Sequence, residues 1–164
     1  MNLTNHTQAT QTVIHSTFTL ERSYDFTPGH VFSALSDPTK KRRWYAAGRP
    51  VQLEEFEMDF RPGGRDRALY RFPEGSLFPG APLLYETTYL DIVPDRRIVF
   101  AYAMSLGGRC VSGSLVTFEF LPSGAGTDLV FTEQGAYFEN SDGPKMREDG
   151  WRKLLERLAD HLAE

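Results

Sequence analysis

One stretch near the C-terminus constrains the fold more than any other. Trp151, Leu154, Leu155, Leu158 and Leu162 recur at i, i+3, i+4, i+7 and i+11, which winds into a single apolar stripe on an α-helix. Arg152, Lys153, Glu156, Arg157 and Asp160 cover the other side. From residue 14 onward the rest of the chain is dominated by the two-residue alternation of half-buried strands. A one-sided helix needs an apolar surface to lie on, and a sheet with one apolar face supplies it.

The alternating segments can be placed in order. Phe18, Leu20, Tyr24 and Phe26 fall on one parity, with Thr19, Glu21, Ser23 and Asp25 on the other. Thr27-Pro28 ends that strand and opens a short helix, since proline suits a first helical turn. Ser36-Asp37-Pro38 breaks it and caps a second helix over Thr39 to Tyr45. Strands follow around Phe56, Met58 and Phe60, over Arg65 to Phe72, Leu84 to Val93 and Ile98 to Met104, and around Val116 to Phe120 and Leu129 to Thr132. Arg61-Pro62-Gly63-Gly64 reads as a tight connection whose glycines permit positive φ. The order is strand, two short helices, six strands, long helix. The predicted fold is α+β: a curved seven-stranded antiparallel sheet gripping the C-terminal helix in its concave face.

The chain has 164 residues, enough for one domain with a core of its own. Residues 1–13 read as a polar arm and 14–164 as a single domain. The longest apolar run, Ile98 to Met104, falls far short of the ~20 residues a spanning helix requires, so no membrane partner is expected. Eighteen basic and twenty-two acidic residues leave a net charge of −4, which argues against a general grip on nucleic acid. Lys40-Lys41-Arg42-Arg43 reads as a solvated helix face on that balance. A single cysteine, Cys110, and an N-terminus without a basic start or apolar centre fit a cytoplasmic protein.

The chain also resembles a known family. Arg22-x-Tyr24-Asp25-x-x-Pro28-x-x-Val31-Phe32-x-Ala34-Leu35-x-Asp37-Pro38, followed by Trp44, is similar to the opening of START-like (SRPBCC, Bet v 1-like) domains. The similarity continues through Phe60-Arg61-Pro62-Gly63-Gly64-Arg65, Ile92-Val93-Pro94-x-x-Arg97-Ile98-Val99-Phe100 and Gly150-Trp151-x-x-Leu154-x-x-Leu158. Within the superfamily it resembles the group related to the activator of heat-shock protein 90 ATPase. The resemblance implies a cavity between sheet and helix. Relatives bind lipids, sterols, polyketides or plant hormones there, and some are cyclases or dehydratases. It also implies two departures: relatives usually carry an aromatic where Asp66 stands and a bulky apolar residue where Ala68 stands. A wider, more polar cavity is expected at that end.

Candidate chemistry follows from parity. Arg22, Asp66, Glu86, Thr88, Ser112, Ser114 and Glu133 fall on the inward side, where a carboxylate is costly unless paired or protonated. Arg22 is expected to pair with Glu133, because this fold sets the first and last strands side by side. Aromatic residues make up 13 % of the chain, and tyrosines add polar tips to a pocket wall. The expected ligand is a small apolar or aromatic molecule. Phe56, Met58, Tyr70, Phe100, Tyr102, Phe118, Phe131, Trp151 and Leu155 would line its site, with Asp66, Glu86 and Glu133 as polar anchors. An enzyme of the cyclase or dehydratase class would need an acid–base pair, and Glu86 with Tyr102 or Glu133 with Arg22 are the candidates. A chaperone-linked interaction domain is the third reading. The four histidines show no ligand spacing and Ser112 and Ser114 no nucleophile elbow, so no metal, cofactor or catalytic residue is assigned. Monomer and homodimer are both left open.

Overall fold

A computed structural model describes residues 12–164. The expected arm lies outside these residues except for its last two positions. Seven strands form one antiparallel sheet: β1 (Ile14–Tyr24), β2 (Gln52–Met58), β3 (Arg65–Arg71), β4 (Pro82–Val93), β5 (Arg97–Leu106), β6 (Arg109–Ser123) and β7 (Gly126–Tyr137). Their spatial order is β1-β7-β6-β5-β4-β3-β2, so every neighbour is reached by a hairpin except β1, which closes against β7. Helices α1 (Pro28–Ser36) and α2 (Pro38–Lys41) sit between β1 and β2, followed by a wider π-helical turn, Arg42–Ala46. The long helix α3 (Gly143–Leu162) returns across the concave face. This is the expected helix-grip arrangement.

Local chemistry sets the boundaries. The Thr27 hydroxyl accepts from His30 N, and the Asp37 carboxylate accepts from Thr39 N and Lys40 N, so each short helix has its capping side chain. Trp151, Leu155, Leu158 and Leu162 of α3 are all buried against Phe118, Phe131 and their neighbours. The Trp151 and Phe131 rings lie 4.4 Å apart. Leu154, at the edge of the stripe, is only partly buried.

Two expectations about facing are corrected. Glu86 and Thr88 are on the outer side of β4, with Glu86 exposed. Directly paired residues share a face, and Asp66, Ala68 and Tyr70 pair with Thr87, Tyr85 and Leu83. Glu86 therefore stands opposite Arg67, away from the helix. A bulge between Tyr89 and Asp91 then shifts the register, returning Ile92 to the core side. The second correction concerns Arg22 and Glu133. The antiparallel register pairs Glu133 with Phe18 and Arg22 with Leu129, which separates the two along the strands. Arg22 turns back to donate to the Glu21 carbonyl at 2.7 Å.

Candidate functional site

The space between sheet and helix is divided in two. The inner part is a cavity of about 20 Å³ bounded by Trp44, Phe56, Asp66, Ala68, Phe100 and Phe118, room for one water. The outer part is an open cleft of about 370 Å³ between α3, the segment Tyr45–Pro50 and the inner faces of β4 and β5. Tyr45, Tyr85 and Trp151 border both spaces. The wide cavity expected at Asp66 and Ala68 is absent from the interior, and the volume able to admit a molecule lies outside this aromatic wall.

Lys41 explains the filled interior. Rather than lying on a solvated face, it is buried at 8 % exposure. Its ammonium reaches Asp66 and the Tyr89 hydroxyl, each at 3.0 Å, and sits over the Tyr45 ring. Lys41 and Trp44 are three residues apart and so share one side of the helical segment. Asp66 also accepts a short hydrogen bond from Tyr89 and one from Asp59 N at 3.2 Å. Burial opposes the lysine's charge, but Tyr89 and Asp66 outweigh it, and the Lys41 pKa is raised. Asp66 thus closes an internal ion pair.

A second polar network stands behind the cleft. Tyr102 borders the cleft and donates a short hydrogen bond to Glu133. Arg147 donates to the Tyr102 oxygen at 2.8 Å and to Ser112 at 2.8 Å, and it grips Asp142 at 2.9 and 2.8 Å. The Arg147 and Glu133 charges lie 3.7 Å apart, so Arg147 takes the place foreseen for Arg22. Burial pushes the Glu133 carboxyl above the usual carboxylate range, against the Tyr102 hydrogen bond and the Arg147 charge. Burial likewise raises Tyr102, with Arg147 opposing and Glu133 reinforcing. Glu133 Oε2, Ser114 Oγ and Tyr137 OH are buried without a hydrogen-bond partner among the described residues.

The proposed lining residues therefore separate. Tyr102 and Trp151 border the cleft; Phe56, Asp66, Phe100, Phe118 and again Trp151 border the inner cavity. Tyr70, Phe131 and Leu155 are fully buried, Tyr70 donating to the Ala46 carbonyl at 3.1 Å. Glu133 lies behind Tyr102, Met58 pairs with Asp66 at the end of β2, and Glu86 is on the far face. Sequence reasoning missed Lys41, Tyr45, Arg49, Met146, Arg147 and Arg157. Arg147 had a signal, since it stands one helical turn before Trp151 and continues the buried stripe backward. Arg49 had none, lying in a segment without periodicity.

A curved sheet gripping one long helix, with an open aromatic cleft at their junction, defines a helix-grip domain. The profile of the family described as activator of Hsp90 ATPase homolog 1-like protein matches residues 25–163, and the chain belongs to that family. It is similar to a solved protein from Rhizobium loti, at 46 % identity and a TM-score of 0.80, over 92 % of this chain and 99 % of that one. A protein from Rhizobium leguminosarum is 34 % identical with a TM-score of 0.85, over 92 % and 96 %. DynU16, from the dynemicin biosynthetic locus, shares the fold at 15 % identity and a TM-score of 0.64, over 90 % of this chain and 47 % of its own. No curated protein matches the chain.

Proposed function

We propose that this protein is a small-molecule-binding domain whose ligand, an apolar or aromatic molecule, lies in the cleft bordered by Tyr45, Tyr85, Trp151, Met146 and Leu154. The observation that carries this reading is the cleft itself. At about 370 Å³ it falls in the range of ligand pockets, apolar with a few placed polar groups. Met146 is 65 % exposed at its rim, an apolar side chain that a bound molecule would cover. A cytoplasmic setting fits the lone, free Cys110.

The test is a titration of isotope-labelled protein with 2-naphthol, followed by amide and indole NMR shifts. Shifts gathered on Tyr45, Tyr85, Met146, Trp151 and Leu154 are expected. No saturable shifts with 2-naphthol or with its carboxylate counterpart 2-naphthoate, or shifts gathered on another face, would overturn the reading. Uptake of no ligand together with binding to a heat-shock protein 90 homologue would favour the chaperone-linked alternative.

A second reading, an enzyme of the cyclase or dehydratase class, is favoured by one feature. Tyr102 faces the cleft and is hydrogen-bonded to Glu133, whose raised pKa suits a proton donor. The similarity in fold to a protein of the dynemicin locus adds a reason to try polyketide-like substrates. Conversion of such a substrate, lost in Tyr102→Phe while binding persists, is its signature.

A further inference from the structure

The cleft is aromatic, but its charges do not balance. Arg49, Arg147, Lys153 and Arg157 border it, against the single carboxylate of Asp142, in a chain whose net charge is −4. Asp142 is already committed, since both its oxygens hold Arg147, and Glu133 lies beside the same arginine. Arg49 and Arg157 make no ion pair among the described residues.

These two arginines are fixed in place without being neutralised. Arg49 donates through Nε to the Tyr45 carbonyl at 2.9 Å. Its guanidinium lies 4.6 Å from the Tyr45 ring centre, 5.2 Å from Tyr70 and 5.5 Å from Tyr85. Its Nη2 is buried and has no hydrogen-bond partner among the described residues. Ring faces attract a cation but accept no strong hydrogen bond, so a desolvated donor is left over. Arg157 is held to the Ala47 carbonyl through Nη2. It approaches Gly48 so closely that a Cβ there would stand 2.8 Å from Nη2, at a φ of +74°. Burial and the nearby charge of Arg49 both lower the Arg157 pKa. Two guanidiniums that repel each other at one end of an apolar cleft make a poor ending for a neutral ligand and a good one for an anion.

We infer that the ligand of this cleft is an amphiphilic carboxylate. Its apolar body lies on Tyr45, Tyr85 and Trp151, and its anionic end is held by Arg49 and Arg157. The inference rests on the cleft being a ligand site, as proposed above. A guanidinium's planar fork matches a carboxylate in two parallel hydrogen bonds. The wall leaves the anion partly shielded from water, which strengthens the attraction.

The test compares 2-naphthoate with 2-naphthamide, of nearly equal shape and different charge, by calorimetric titration of the full chain at low and moderate salt. The acid is expected to bind about tenfold tighter or more, with the difference narrowing as salt rises. Arg157→Gln and, separately, Arg49→Gln should remove most of the acid's advantage over the amide, bringing the two affinities to within about twofold of each other. Equal binding of acid and amide to wild type overturns the anionic end and leaves the cleft as a ligand site. Binding of neither overturns both. An acid preference that survives in both folded variants overturns the assignment to these arginines. If a variant does not fold, the comparison on wild type still decides whether an anion is preferred, and Arg157→Lys then tests the fork, with the acid expected to weaken.

Discussion

Lys41 and Asp66 bring opposite charges into one interior, at 8 % and 6 % exposure, and removing either strands the other. Asp66→Asn is expected to cost about 3–5 kcal/mol, because an uncompensated ammonium would remain buried. Lys41→Met with Asp66→Leu should recover most of that loss, since apolar replacements of a buried pair are often neutral. A double-mutant cycle by urea denaturation checks this, and additive losses would mean the pair is not coupled. Glu133 gives a prediction of the opposite kind. Its pKa is raised in the fold, so over a range of pH above the ordinary glutamate value the folded chain holds a proton that the unfolded chain has released. Its contribution is whole below the unfolded pKa and is lost as pH rises through the folded one, at up to about 1.4 kcal/mol per pH unit. Glu133→Gln should therefore flatten the fall of unfolding free energy as pH rises above the ordinary glutamate range. Parallel curves for the two proteins would place the titration elsewhere. Asp66 and Glu133 were legible as inward polar residues from strand parity. Their cations were not, because Lys41 and Arg147 lie far away in sequence and no local period pairs them.

Strands and helices were the most legible scale, with instructive exceptions. Parity identified the inner faces of β1, β3, β6 and β7, where alternation is clean. It failed on β4, whose two parities are both rich in apolar or tyrosine side chains; only the pairing with β3 decides between them. The second short helix also reads as regular, yet it widens into the π-helical turn Arg42–Ala46. That turn buries Trp44, whose Nε1 donates to the Ala34 carbonyl at 2.7 Å, and sets the neighbouring Tyr45 at the cleft. Such turns often occur at functional sites. The connection between β2 and β3 was foreseen as glycine-dependent, but its two glycines act differently. Gly63 has a φ of +79°, whereas at Gly64 an added Cβ would fall 2.1 Å from the Asp59 carbonyl oxygen. Gly63→Ala is expected to cost about 1–2 kcal/mol from backbone strain. Gly64→Ala should cost more, roughly 3 kcal/mol, because the turn itself must open. Denaturant midpoints rank the two, and a smaller loss at Gly64 would show that the hairpin yields easily.

At the scale of the whole molecule, the sheet and helix make two spaces and fill the inner one. The resemblance pointed to a ligand between them, and the small side chain at Ala68 suggested extra width. Lys41 and Tyr45 take that width instead, leaving about 20 Å³. The distinction is testable at Ala68, which borders the inner cavity and not the cleft. Ala68→Leu adds an isopropyl group to a space with room for about one water. Overpacking should lower stability by about 1–3 kcal/mol. A molecule seated in the outer cleft would not meet the new side chain, because Tyr45, Tyr85 and Trp151 stand between. The affinity of Ala68→Leu for 2-naphthol is therefore expected to stay within about twofold of wild type, or 0.4 kcal/mol, while its melting temperature falls. A loss of binding larger than tenfold, in a variant that remains folded at the assay temperature, would mean that the aromatic wall opens and the ligand enters between sheet and helix.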